Sequence, residues 1–299
     1  MVITEIVGFL WASLQAVARA AELLAISAVL FGLLALLVKG WGAVEAARRA
    51  APEVTATLWL ELVNVIVFAP VISMAIALWL GVIDHYSLAP VDESVWSRVG
   101  DYGTFVAVIF VGDFLGYCRH RAQHTRWFWP AHAIHHSDTQ MTWVTLSRFH
   151  PLDNFTTNCF DFGCLALLGF PHWALVANAI VRTYYGQFIH ADLPFTYGPF
   201  ARVFVSPVMH RWHHARDVTG AGSNFATVFS VFDQAFGTYY VPGLCTVPLG
   251  VNDEMGKGTV GQLMYPFVAW GRRIARRYRR ARGIKPAFAK DKVQLRAGR

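Results

Sequence analysis

The chain has 299 residues, 55% of them hydrophobic and only 15% charged, against roughly 45–50% apolar and about 25% charged in soluble domains. That composition excludes an ordinary soluble enzyme and a disordered chain, and it points to a protein built in a membrane. The formal net charge of +7 is not an argument for nucleic-acid binding, because it resides in one terminal tail and nothing else resembles a base-reading module.

The first twenty residues are apolar but marked by Glu5, Arg19 and Glu22. They suit an interfacial helix or the start of a longer first span, and with no basic leader a cleavable signal peptide is not expected. Leu23–Val38 and Leu62–Ile83 carry no charge, and each approaches the ~20 residues needed to cross a bilayer as a helix. A third apolar stretch, Tyr102–Cys118, is broken only by Asp113 and runs straight into Arg119. The fourth, Phe162–Val181, is interrupted by Gly169-Phe170-Pro171 and reads as two helices in a hairpin.

Charge gives an orientation. Lys39, Arg48 and Arg49 follow the first span, whereas Asp84, Asp92, Glu93 and Asp101 follow the second against a single Arg98. The positive-inside tendency therefore makes the first loop cytoplasmic. If the interrupted region goes out and back, everything from Arg119 onward shares that side. From Arg272 to Arg299 there are twelve Lys or Arg and one acid, Asp291, so the rest of the chain is net acidic. Such a tail beside a membrane domain most simply meets an anionic membrane surface, at about 1 kcal/mol per basic residue. Cys118, Cys159, Cys164 and Cys245 form no CxxC, which argues against a disulfide framework or a thiolate metal site.

Nine of the twelve histidines fall into a spaced pattern: His120 and His124 in HRAQH, His132, His135 and His136 in HAIHH, a single His190, and His210, His213 and His214 in HRWHH. Residues three and four apart share a helix face, so each motif aims several imidazoles one way. Neutral imidazole is the commonest metal ligand, and nine exceed what one ion holds, so two ions are the economical reading. Zinc would need a general base for hydrolysis, and neither HExxH nor the zinc deaminase pattern occurs. Copper lacks soft ligands here. The spacing leaves iron and zinc open; an apolar setting favours a redox pair acting on an unactivated C–H bond.

The segment from Asp113 to Tyr240, through DFLGYCRHRAQH, HAIHHS, SRFHPLD, FIHADLP, PVMHRWHHARD and FDQAFGTYY, resembles the fatty acid hydroxylase and sterol desaturase superfamily of integral membrane oxygenases. The resemblance implies an all-α fold, a polytopic helical membrane domain with a cytosolic histidine-rich cap over a dimetal site. It also implies that the nine histidines hold two Fe ions, with zinc as a substitute in preparations. The implied reaction is dioxygen-dependent hydroxylation, or less readily desaturation, of an aliphatic carbon of a fatty acyl or sterol-like lipid, its chain held in an adjoining apolar channel. Electrons would come from a separate ferredoxin or b-type cytochrome with its reductase, since the chain has no dinucleotide fingerprint, haem-attachment motif or cysteine cluster.

Further candidates flank this set. His150, in RFHPLD, is an open tenth ligand or a helix cap; His85 reads as solvated and His172 as structural. Asp113 lies two turns before His120 in an apolar span, where an ionisable group is usually functional. It is expected either to accept the outer N–H of a metal-bound imidazole or to bond locally. Asp138, Asp153, Asp192 and Asp217 each follow a histidine motif and could do the same work or serve as caps.

The expected organisation is N-terminal spans over 1–101, a catalytic domain over 102–245 and a C-terminal segment with the basic tail over 246–299. Composition points to a multi-pass protein of a bacterial inner membrane with the metal site and C-terminus cytoplasmic. A zinc-dependent membrane hydrolase and a non-catalytic metal- or haem-binding membrane protein remain the alternatives.

Overall fold

The computed structural model describes residues 2–216, 222–256 and 258–283. Asp217, the Glu5 side chain and the tail beyond Gly283 fall outside the described residues. Among those described there is no β-strand, only isolated bridges between Phe204 and Phe229 and between Ala215 and Leu249.

The first helix, α1 (Val2–Lys39), is continuous, so the first twenty residues extend the first span. It turns at Gly40, whose φ is +56°, into α2 (Gly42–Val63), a π-helical turn (Asn64–Phe68) and α3 (Ala69–His85). Arg48 and Arg49 thus sit on a helix rather than in a loop. Helix α4 (Glu93–Gln123) bends at Gly100, where φ is +78°, and its straight part carries the third apolar stretch into HRAQH. Three stretches are long and apolar enough to cross a membrane: Trp11–Lys39, Gly42–His85 and Glu93–Gln123.

The interrupted region is a helical hairpin, α6 (Pro151–Leu167) and α7 (His172–His190). At about 1.5 Å per residue the two arms reach roughly 25 and 28 Å, close to the thickness of a hydrocarbon core. Gly169 makes the turn with φ +69°, and a Cβ there would run into the Val91 carbonyl. The core between α3, α4, α6 and α7 is built on Ile83, Val108, Leu165, Phe170 and Leu175, with Trp96 stacked on Phe170 at 3.9 Å.

This topology collects the motifs at one end of the bundle. Helix α4 ends there, α6 begins there and α7 returns there, while the 168–171 turn lies against Val91 at the other end. The end of α1 belongs to the motif end too, because Lys39 pairs with Asp192 at 2.6 Å. Short helices complete the cap: α5 (Trp129–His132), α8 (Pro207–His213) and α9 (Val231–Ala235). The amphipathic α10 (Gly258–Ala281) lies across it, held by Trp270 Nε1 donating to the Trp127 carbonyl and by Arg273 on the Arg126 carbonyl.

Candidate metal centre

The nine motif histidines come together in two buried groups. His120, His124, His132, His136 and His213 form one, and His135, His190, His210 and His214 the other; in each, one nitrogen per ring lies within 4.8 Å of all the others. The groups abut, with the His136 and His214 rings stacked at 4.4 Å.

Hydrogen bonds on the far side of the rings decide what the near side presents. His120 Nδ1–H donates to the Phe225 carbonyl at 2.7 Å, His213 Nδ1–H to Ser223 at 2.6 Å, His190 Nδ1–H to Gly186 at 2.6 Å, and His132 Nδ1–H to Asp153 at 2.9 Å. A neutral imidazole that donates from Nδ1 carries its lone pair on Nε2. Yet His213 and His120 bring their Nε2 atoms to 3.0 Å, His120 and His132 to 3.1 Å. Lone pairs at that distance repel unless a shared proton or a metal cation lies between them, and burial, which disfavours a protonated ring at His120, favours the metal. In the second group His190 Nε2 lies 3.0 Å from that of His210 and 3.2 Å from that of His135. Nδ1 of His135 and of His210, and both nitrogens of His214, are buried without a hydrogen-bond partner among the described residues. Nine-tenths of buried polar atoms are normally satisfied, so this set fits a pair of metal ions.

Burial suits the same role. It pushes His135, His136, His210 and His214 well below the usual imidazole range, with neighbouring imidazoles adding to the effect. His213 is pushed down to about 3 by burial, against the opposing pull of its bond to Ser223. Rings kept neutral at physiological pH are ready ligands.

The flanking candidates divide. His150 is in neither group: its Nδ1 accepts from the Leu152 N–H at 3.1 Å, capping α6, and its Nε2–H donates to the Leu263 carbonyl at 3.0 Å. Asp113 touches no imidazole. Fully buried, its carboxylate accepts from the N–H groups of Thr227, Val228 and Phe229 at 3.1, 3.0 and 2.7 Å. Asp233 takes those of Phe225 and Ala226 at 2.8 and 3.0 Å; burial pushes it up to about 6. Together they pin the strand of chain whose Phe225 carbonyl orients His120. The carboxylate that does meet an imidazole is Asp153, in the first turn of α6, which also accepts from Gln123 Nε2 at 2.5 Å. Asp138 caps its own loop through Gln140 N–H and Thr145, and Asp192 pairs with Lys39 and Arg211.

Sequence reasoning missed Arg148, buried and joined to Glu53 at 2.9 Å and to Ser137 at 2.9 Å. It fastens α2 to the residue after His136. Phe149 stacks on His135 at 5.1 Å, and Phe225 stands edge-on to His120, His124 and His213.

A cavity of about 310 Å³ opens from the histidines into the bundle, bounded at its metal end by His120, His132, His135, His190 and His210. Phe162, Leu165, Leu175 and Ile189 supply apolar wall. Glu61, Arg119, Asn178 and Arg182 also line it, so it is not the purely apolar channel expected for an aliphatic chain.

Residues 105–238 match the family model described as fatty acid hydroxylase. An ornithine lipid hydroxylase from Rhizobium tropici is 28% identical over 167 residues, 55% of this chain and 50% of that protein. An alkylglycerol monooxygenase from Caenorhabditis elegans is 28% identical over 169 residues, 56% of this chain and 32% of its own. A very-long-chain aldehyde decarbonylase from Oryza sativa subsp. indica is 28% identical over 133 residues, 42% of this chain and 48% of its own. The chain spans half or less of the length of these relatives. No solved structure matches it.

Proposed function

With a fatty acid hydroxylase domain over residues 105–238 as the premise, we propose that this protein is a membrane-embedded di-iron oxygenase that hydroxylates an aliphatic carbon of a lipid. The observation that carries the reading is the pair of imidazole groups whose lone pairs converge where metal cations can join them. The nine histidines hold the ions, five on one and four on the other. Asp153 and the carbonyls of Gly186, Ser223 and Phe225 fix which nitrogen faces inward, a role whose loss typically costs 10–100-fold in metal affinity. Phe149 packs on the His135 ring and Phe225 on the His120 ring, which holds both imidazoles in place. Bound iron would supply dioxygen reduction: one oxygen atom enters a C–H bond as a hydroxyl, and the other leaves as water with two electrons and two protons.

Those electrons come from a separate redox protein, a ferredoxin or a b-type cytochrome with its reductase; the chain carries no dinucleotide fingerprint that would supply them itself. Charge supports a multi-pass arrangement in a bacterial inner membrane with the metal end cytoplasmic. Lys39 and the α10 arginines gather at that end and Asp84, Asp92 and Glu93 at the other. The α10 face that exposes Met264, Phe267, Val268 and Ile274, flanked by Arg272, Arg273, Arg276 and Arg277, suits an anionic lipid surface.

The test pairs metal analysis with lipid mass spectrometry. Anaerobically purified protein should carry about two irons per chain, and cells with the gene should contain a lipid heavier by one oxygen atom than cells without it. Protein with no bound transition metal, or a lipid profile unchanged by the gene, overturns the reading.

A further inference from the structure

Between α10 and the turn that joins the first two histidine motifs lies a second concave space, apart from the metal centre. Arg126 and Trp127 of the turn, with Arg276, Arg277 and Arg280 of α10, line its volume of about 470 Å³, within the range of about 300–1,000 Å³ usual for ligand pockets. No Asp or Glu lines it, and none of its four arginines enters an ion pair with a described residue. The cap carboxylate that α10 does meet, Asp253, accepts from the Tyr265 hydroxyl and the Trp129 indole N–H instead.

The helix itself builds this convergence. Arg273, Arg276, Arg277 and Arg280 recur at three- and four-residue spacing and share one side of α10. That side is drawn to the turn by Trp270 Nε1, which donates to the Trp127 carbonyl at 2.8 Å, and by Arg273 on the Arg126 carbonyl. A guanidinium stays protonated at physiological pH, so the four cannot relieve their mutual repulsion by losing a proton; a counter-anion relieves it. Their planar forks suit phosphate, whose oxygens accept from several donors at once. All four side chains are exposed, so a ligand reaches them without opening the fold.

The opposite side of α10 identifies the source of that phosphate. Met264, Phe267, Ile274 and Tyr278 are each half or more exposed. A helix with one apolar side open and a basic side opposed lies in the plane of a bilayer interface, which sets its arginines at the depth of the lipid headgroups. Diffuse attraction to an anionic surface would draw on every arginine of the helix, whereas Arg272 and Arg279 are not among those that converge here.

We propose that the pocket between α10 and the Arg126–Trp127 turn is a discrete binding site for the phosphate headgroup of an anionic phospholipid. A single lipid there bridges α10 to the turn between His124 and His132, where the Trp129 ring packs 5.1 Å from that of His124. The site needs no metal and no turnover, so it is tested apart from the oxygenase reading.

Native mass spectrometry of the full chain in detergent, titrated with dioctanoyl phosphatidylglycerol or dioctanoyl phosphatidylcholine, provides the test. Wild type should hold one phosphatidylglycerol per chain at least about tenfold more tightly than phosphatidylcholine. The Arg126→Gln, Arg280→Gln double variant should lose that preference, and Arg126→Lys, which keeps the charge but not the fork, should weaken it several-fold. The Arg272→Gln, Arg279→Gln double variant removes the same charge outside the pocket and should retain it. Every changed residue is exposed, so all the variants should melt as wild type does. Equal binding of the two lipids by wild type, or equal loss in the two double variants, overturns the discrete site. Inorganic phosphate equimolar with the lipid should leave it bound; displacement would make the ligand a soluble anion and overturn the lipid assignment.

Discussion

Asp153 and His150 stand three residues apart at the start of α6 and do opposite jobs. Asp153 accepts the Nδ1–H of His132, so Asp153→Ala frees that ring to take its other tautomer and should lower metal affinity about 10–100-fold. His150 spends both nitrogens on backbone, at Leu152 and Leu263, so His150→Ala should keep both ions and lose about 1 kcal/mol of stability with the cap. Chelator competition and thermal melting of the two variants check this; metal loss in His150→Ala, or wild-type affinity in Asp153→Ala, would refute it. The histidines were legible in sequence as spaced motifs, but helical spacing alone does not account for their grouping: His135 and His136 lie in a 3-10 turn beyond α5, and each HxxHH motif divides its rings between the two groups. Their partners were not legible: three of the four tautomers are set by the carbonyls of Gly186, Ser223 and Phe225, and every residue has a carbonyl. Asp113 is conspicuous in sequence because it interrupts an apolar run, yet it serves three backbone N–H groups and reaches His120 only through the chain it holds.

At the level of elements, the sequence located the apolar stretches and the hairpin, but not how far helix extends beyond them. Lys39 ends a helix of 38 residues, about 57 Å long, and the 44 residues from Gly42 to His85 are helical throughout. Charged residues such as Arg48, Arg49 and Glu53 favour helix as readily as loop, and Glu53 joins α2 to the cap through Arg148. Break signals proved more informative, since Gly169 sits at the hairpin turn in a conformation other residues resist. Gly169→Ala should therefore cost at least about 1–2 kcal/mol from its positive φ, with more from the Val91 carbonyl. Gly81→Ala, on α3 with open space around it, should be neutral or stabilising by up to about 1 kcal/mol. Melting of the two variants in the same detergent separates these effects, and equal midpoints would show that the turn does not carry this strain.

Across the whole molecule, the placement of charge and the placement of the histidines are one constraint. The histidine cluster is assembled from α4, α7 and the cap, which meet at one end of the bundle, and the α6–α7 hairpin returns the chain to that end. The Lys39–Asp192 pair ties the end of α1 to that side, and α10 brings its arginines there through Trp127 and Arg126. The segment from Tyr86 to Asp92, beside the hairpin turn, is left on the other. Reporters should follow: a fluorescent protein fused at the C-terminus should fold and glow as cytoplasmic, and alkaline phosphatase there should be inactive. The same phosphatase inserted after Ser87 should be active. Activity at both positions, or at neither, would mean that α4 does not cross between them. The metal end would then have to be reached by some route other than the three-span path, because α4 alone joins the Ser87 loop to His120.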